Sequence, residues 1–287
     1  MKDKSSPVIV IGMHRSGTSM ITRMLDDCGL FVGKDLEYDH ESLFFLRLNE
    51  WILRQANATW DNPFNLSFID NYFIKNASRV VQKRINSFAR IKYMGVHNYF
   101  TSPCIDQINS VWGWKDPRST VTMDVWRSLY PNAKIVHIYR NPIDIASSLA
   151  QREAASRGQA LNFKSLIKEK FLLGKSNFAS SSRVLDLHQG VALWSEYTER
   201  AFKLSENLDV LHIRYESFLN APAKHLSEVL RFIGISPDEL LVTDLVQDVN
   251  KDRCFAFLND ADMLKLYTEI TPKFELLLSK CDYNHLS

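Results

Sequence analysis

The chain opens on an uninterrupted apolar run, Val8-Ile9-Val10-Ile11. A strand buried on both faces of a parallel sheet has that pattern, whereas a half-exposed strand alternates. From 18 to 28 the period lengthens, with Met20-Ile21, Met24-Leu25 and Cys28 on one helical face. Phe45, Leu48 and Ile52 repeat that spacing and predict a helix over 40–56. Residues 57–110 are less regular, a mixture of helix and loop broken at Asn62-Pro63. A short strand is expected over Val111–Trp114, then a helix over Val121–Leu129. After the Pro131-Asn132 turn come a strand, Lys134–Tyr139, and a helix from Asn141-Pro142, where proline suits the first turn. Further helices are expected at 161–175 and 182–207; in the second, Trp194, Tyr197, Ala201 and Leu204 form an apolar stripe that reads as core. "LDVLHIRYESF" reads as a strand, and Leu226, Val229, Leu230 and Ile233 as an amphipathic helix closed by Gly234. Strands alternating with helices predict one parallel sheet covered on both faces, an α/β/α arrangement of three layers.

Composition adds bounds. The 287 residues, 45% hydrophobic and 24% charged, suit a single domain over 1–287 with a flexible stretch at 1–6 and helical insertions at 40–110 and 151–180. With 35 basic and 33 acidic residues, bulk charge gives no reason to invoke nucleic acid or a membrane, so any anion site must be local. The cysteines, Cys28, Cys104, Cys254 and Cys281, form no C-x-x-C pair. That argues against a zinc site or disulfide framework and fits a reducing, cytoplasmic setting. No run approaches the ~20 apolar residues a membrane-spanning helix needs.

The candidate chemistry lies where strands end, the place ligands occupy in open parallel sheets. "GMHRSGTS" follows the first strand as a P-loop-type turn: Gly12, four residues, Gly17, then Thr18 and Ser19. Such a loop is either a bare strand-to-helix turn or an anion site made by backbone N–H groups and a helix N-terminus. A nucleoside-triphosphatase would carry Lys at position 18. Without it, the loop suits a terminal phosphate or sulfate group. "WKDPRS" follows the second strand and "YRNPIDIASS" the third, placing Lys115, Arg140 and Ser148 at the same end. Arg140 is either a surface partner of Asp144 or an anion ligand.

Together these segments resemble the sulfotransferases. "GMHRSGTS" looks like their 5′-phosphosulfate loop, "YRNPIDIASS" like their 3′-phosphate motif, and "RYESFLNAPAKHLSEVLRFIGI" like their R-Y-E-D-L…F-L-G segment. "WGWKDPRS" resembles the K-D-P-R element of bacterial and carbohydrate-type members, and the four occur in family order. The resemblance implies transfer of a sulfuryl group from 3′-phosphoadenosine 5′-phosphosulfate (PAPS), leaving adenosine 3′,5′-bisphosphate (PAP), with no metal. The acceptor would be a hydroxyl or amine of a small molecule or carbohydrate. It also implies roles: His14, Arg15, Ser16, Gly17, Thr18 and Ser19 around the 5′-phosphosulfate, Arg140 and Ser148 on the 3′-phosphate, Tyr215 beside adenine. Arg15 and Lys115 would neutralise charge on the transferring group. For the general base, relatives place a Glu eight residues before an Asn; Glu41 before Asn49 matches, with His40 and His97 as rivals. His137, amid apolar residues, reads as core. Two features depart from the cytosolic branch: no C-terminal R-K-G-x-x-G segment, only Lys251 and Arg253 in "NKDRCF", and Met20 in place of Trp. Trp51, Trp60, Phe64, Phe68, Tyr72 and Phe73 either line an acceptor pocket or belong to the core. The remaining alternatives are a kinase-like phosphotransferase and a non-catalytic nucleotide-binding module.

Overall fold

The computed structural model describes residues 5–159 and 180–284; the helix expected at 161–175 lies outside them. The chain divides into two compact units, Met1–Arg140 with Tyr197–Cys254, and Asn141–Glu196 with Phe255–Ser287.

The first unit is built on four parallel strands, β1 (Val8–Ile11), β2 (Gly113–Lys115), β3 (Lys134–Tyr139) and β4 (Asp209–Arg214), in the order β2-β1-β3-β4. Successive residues of β1 serve opposite layers. Ile9 and Ile11 pack with Phe45, Leu48 and Ile52 of α2 (Leu43–Gln55), Val81 and Ile85 of α3 (Asn71–Ile85), and Val125 and Trp126 of α5 (Ser119–Leu129). Val8 and Val10 pack with Ile21 and Leu25 of α1 (Thr18–Asp27) and with Leu226, Val229 and Leu230 of the helix Pro222–Ile233. That helix has proline in its first turn and ends on Gly234 at φ 90°, a left-handed closure that glycine adopts at low cost. Between α3 and α5 runs α4 (Ile91–Thr101), interrupted by Gly95 at φ 74°. The connection through α1 runs to one side of the sheet and that through α5 to the other, so the switch point where such sheets bind ligands lies beyond the carboxyl ends of β1 and β3.

The second unit contains α6 (Pro142–Gln159), the start of the helix Leu187–Lys203, and the helix Ala261–Lys280. Asn141 and Asp144 bond each other's side chain and backbone, and Asp144 also accepts from the Phe257 amide at 3.0 Å. Asp144 is thereby a buried structural group, and Gly190 meets α6 where an added Cβ would lie 3.0 Å from that of Ala146.

β3 forms where the sequence predicts it. β2 is displaced to Gly113–Lys115, because Trp112 pairs instead with Phe31 in an isolated bridge. β4 stops at Arg214 and Tyr215 already begins a short helix. The predicted helix at 182–207 shortens to Leu187–Lys203 between two 3₁₀ turns, and its stripe Trp194, Tyr197 and Ala201 is fully buried.

His137 is a core histidine, as its apolar neighbours imply. Its Nδ1 lies 2.8 Å from Nδ1 of His212, whose Nε2 meets the Ser205 hydroxyl at 2.7 Å. Burial, and then His212, hold the His137 imidazole well below its ordinary pKa. A group whose folded pKa is depressed favours folding above its unfolded pKa, and that contribution is lost as pH falls. Stability to urea is therefore expected to decline below about pH 6.5, with a slope of up to ~1.4 kcal/mol per pH unit, and His137→Phe to remove most of that slope.

Candidate active site

The loop after β1 is shaped by three left-handed residues: Gly12 (φ 148°), Arg15 (φ 71°) and Gly17 (φ 96°). A Cβ on Gly12 would lie 2.2 Å from the Ile138 carbonyl oxygen, and one on Gly17 would lie 2.4 Å from the Tyr215 ring. Only glycine lets β3 and Tyr215 approach so closely. The Gly12 amide meets Thr120 Oγ1 at 3.3 Å, tying the loop to α5. Gly17 caps α1 without a side-chain hydrogen bond, and the first turn of α1 holds no acidic residue. Ser16 Oγ is buried over Gly12 and has no partner among the described residues. An uncapped helix N-terminus and a buried unused hydroxyl in one glycine-shaped loop suit an anion with several oxygens. Arg15 is exposed, while His14 packs edge-on against Trp60 with ring centroids 4.7 Å apart. The Trp60 carbonyl accepts from the Tyr197 hydroxyl at 2.7 Å, fixing Trp60 beside the loop.

Lys115, the last residue of β2, stands at the loop's edge. Its ammonium donates to Ser19 Oγ at 3.2 Å, the Asp39 carbonyl at 3.0 Å and Glu41 Oε1 at 2.8 Å. Glu41 is not in the first turn of α2 as its position suggested. It ends a tight turn in which His40 takes φ 62° and the Glu37 amide bonds the Glu41 carbonyl at 2.9 Å. The other carboxylate oxygen accepts from Arg118 at 3.0 Å, and Arg118 also donates to Asp116 at 3.0 Å. Beneath them Asn49 uses all its side-chain capacity: it donates to Asp116 and Ser119 and accepts from Thr122 and Trp126, all within 2.9 Å.

The neighbouring charges set the ionisation of Glu41, Asp116 and Arg118. Burial pushes Glu41 up, but Lys115 and Arg118 together outweigh it and leave the carboxyl below its usual range. Burial raises Asp116, opposed by Arg118 and reinforced by Glu41. Arg118, despite its burial, is held more firmly protonated by Asp116 and Glu41.

A second cluster joins β3, β4 and the loop. The Arg140 guanidinium lies 4.8 Å from the Tyr215 ring centroid and donates to the Arg253 carbonyl at 2.9 Å. The buried Tyr215 thus supports both Gly17 and Arg140, and Arg253 meets Arg140 through its backbone. Ser148 lies on α6 in the second unit. Of the rival bases, His40 pairs with Asp26 at 2.9 Å and His97 is exposed on α4. Among the described residues, no three His, Cys, Asp or Glu side chains gather as metal ligands. Sequence reading missed Arg118, Asp116 and Asn49. Arg118 and Asp116 stood inside the "KDPR" segment, and Asn49 served only as a spacing mark for Glu41.

The fold and loop define a P-loop-type α/β protein with an anion-ready turn and a buried cation at its edge. The model of the sulfotransferase family matches residues 7–239, and the chain belongs to that family of enzymes that transfer a sulfuryl group. A solved sulfotransferase from Alicyclobacillus acidocaldarius is similar over 98% of this chain and 97% of its own, with a TM-score of 0.53 and 16% identity. The sulfotransferase domain from the curacin biosynthetic pathway is similar over 94% of this chain and 99% of its own, with a TM-score of 0.50 and 12% identity. At these identities the likeness is one of fold. No curated protein matches the sequence.

Arg118→Leu leaves the buried Asp116 carboxylate with only the Asn49 amide and the backbone N–H of residue 118 as donors, and removes one of two cations from Glu41. Breaking a buried pair in this way is expected to lower unfolding free energy by about 3–5 kcal/mol, measured by denaturant titration.

Proposed function

We propose that the loop 12–19 binds the phosphosulfate end of PAPS, and that the chain delivers its sulfuryl group to a hydroxyl or amine of a small-molecule or carbohydrate acceptor. The observation that carries this reading is the unpartnered Ser16 hydroxyl, buried in a loop whose helix N-terminus is also uncapped, beside the Lys115 ammonium. PAPS supplies the sulfuryl group and departs as PAP. The amides of Ser16, Gly17, Thr18 and Ser19, with the hydroxyls of Ser16, Thr18 and Ser19, hold the 5′-phosphate. Arg15 at the exposed apex and Lys115 at the edge neutralise negative charge on the transferring group. His14, fixed against Trp60, shapes the wall of the loop. Arg140 holds the 3′-phosphate, with Tyr215 as the platform that aims it.

Glu41 is the general base. Bound to two cations it is ionised but weakly basic, since each cation stabilises the charged form. Lys115 is shared between Glu41 and Ser19, so a turn toward the loop takes it from the carboxylate. Glu41 then keeps Arg118, its basicity rises, and Oε1 is released to accept the acceptor's proton. His40, committed to Asp26, and exposed His97 are weaker candidates. A cytoplasmic setting suits four cysteines that form no C-x-x-C pair.

Calorimetry tests the donor reading: PAP is expected to bind without magnesium, and ATP with magnesium to bind at least ~tenfold more weakly. No heat with PAP at high micromolar concentration would refute it. In a sulfation assay with labelled PAPS, Lys115→Ala is expected to lower kcat by 10²–10³-fold and Glu41→Gln by a roughly 10²–10⁴-fold factor.

A further inference from the structure

The chain's nearly balanced charge conceals a local concentration. Residues 71–101 contain six cations, Lys75, Arg79, Lys83, Arg84, Arg90 and Lys92, and no acidic residue. The other positions carry 29 basic residues against 33 acidic, so this segment is the basic pole of an otherwise slightly acidic chain. Among the described residues, none of the six is ion-paired with a carboxylate. Arg79 reaches Asn76, and Arg90 donates to the Asn86 and Pro103 carbonyls.

The same segment also exposes several large apolar side chains. Helix α3 buries Ala77, Ser78, Val81 and Ile85 against the core. Its opposite face, at spacings of three and four, presents Tyr72, Lys75, Asn76, Arg79, Val80 and Lys83, and Tyr72 is 77% exposed. Beyond α3, Phe88 (69% exposed) lies 5.5 Å from Tyr99, and Tyr99 lies 5.4 Å from Phe100 (78% exposed). Arg90 sits over the Tyr99 ring at 4.8 Å. A soluble surface seldom gathers exposed rings without a partner, and unpaired cations among them specify what that partner carries.

We infer that residues 71–101 dock on an anionic lipid surface. Phe88, Phe100 and Tyr72 enter the headgroup boundary, and the exposed cations Lys75, Arg79, Lys83, Arg84 and Lys92 face lipid phosphates. Lys and Arg near such a surface are attracted to its negative potential, and amphipathic rings settle at the boundary between headgroup and acyl chain. Among the described residues no helix is long and apolar enough to cross a membrane, so the contact is peripheral. The inference rests on charge and exposure alone and does not depend on the donor reading.

Co-sedimentation of the full chain with phosphatidylglycerol-containing vesicles, against vesicles of phosphatidylcholine alone, tests it. Partition onto anionic vesicles is expected to exceed that onto neutral ones by at least ~tenfold, and to collapse at high salt. Phe88→Ser with Phe100→Ser, and separately Lys75→Glu with Arg79→Glu, should each reduce partition by ~tenfold or more without changing the thermal melt. No binding to anionic vesicles, or binding that both double variants leave intact, would overturn the inference. It would also be overturned if the face instead proved to hold a second copy of the chain. Sedimentation velocity would then show a dimer lost in Phe88→Ser with Phe100→Ser, without vesicle binding.

Discussion

The ion pair between Lys115 and Glu41, buried at the edge of the phosphate loop, is the constraint that organises the surrounding structure. Both side chains are nearly inaccessible to water, so neither charge is tolerable without the other. Meeting that condition needs residues far apart in sequence. The end of β2 supplies Lys115, a tight turn supplies Glu41, and the turn into α5 supplies Arg118 and Asp116. Asn49 on α2 then fastens this turn through Asp116, Ser119, Thr122 and Trp126. A parallel sheet whose connections leave toward opposite faces beside β1 brings those ends together, and the charge network holds them there.

Against that satisfied network, the loop next to it is incomplete. Its helix N-terminus has no side-chain cap and the Ser16 hydroxyl has no partner among the described residues. Buried polar groups normally find partners, so the contrast with the network supports the loop as the proposed binding site. Lys115 belongs to both, donating to Glu41 on one side and to Ser19 on the other. On the proposed function this double allegiance gives a physical route by which donor binding would strengthen the base: one cation would move toward the transferring group, and the carboxylate it leaves would become more basic.

Much of this was legible in the sequence because it depends on local pattern. The unbroken apolar run of β1 and the turn before Lys134 specify their strands, and the glycine spacing marks the loop. Lys115 and Glu41 were also in view, but their contact was not, because it spans 74 residues. Arg118 and Asp116 went unassigned for the same reason: a run of charges shows which groups are present, not which are buried together. Glu41 was placed in a helix by the period of Phe45, Leu48 and Ile52, whereas the left-handed turn at His40 holds it outside. The basic pole at 71–101 was hidden by the averaging that makes the whole chain nearly neutral.

The hand-over of Lys115 is the central claim, and the ionisation of Glu41 reports it most directly. A carbon-13 titration of the Glu41 carboxylate, compared between the enzyme alone and the enzyme with PAPS bound, follows that group through its own signal. The account predicts a Glu41 pKa below the usual carboxylate range without PAPS, rising when PAPS binds. In Lys115→Ala it predicts a value already raised, with a much smaller response to PAPS. A Glu41 signal that PAPS leaves unmoved, or that shifts equally with and without Lys115, would contradict it.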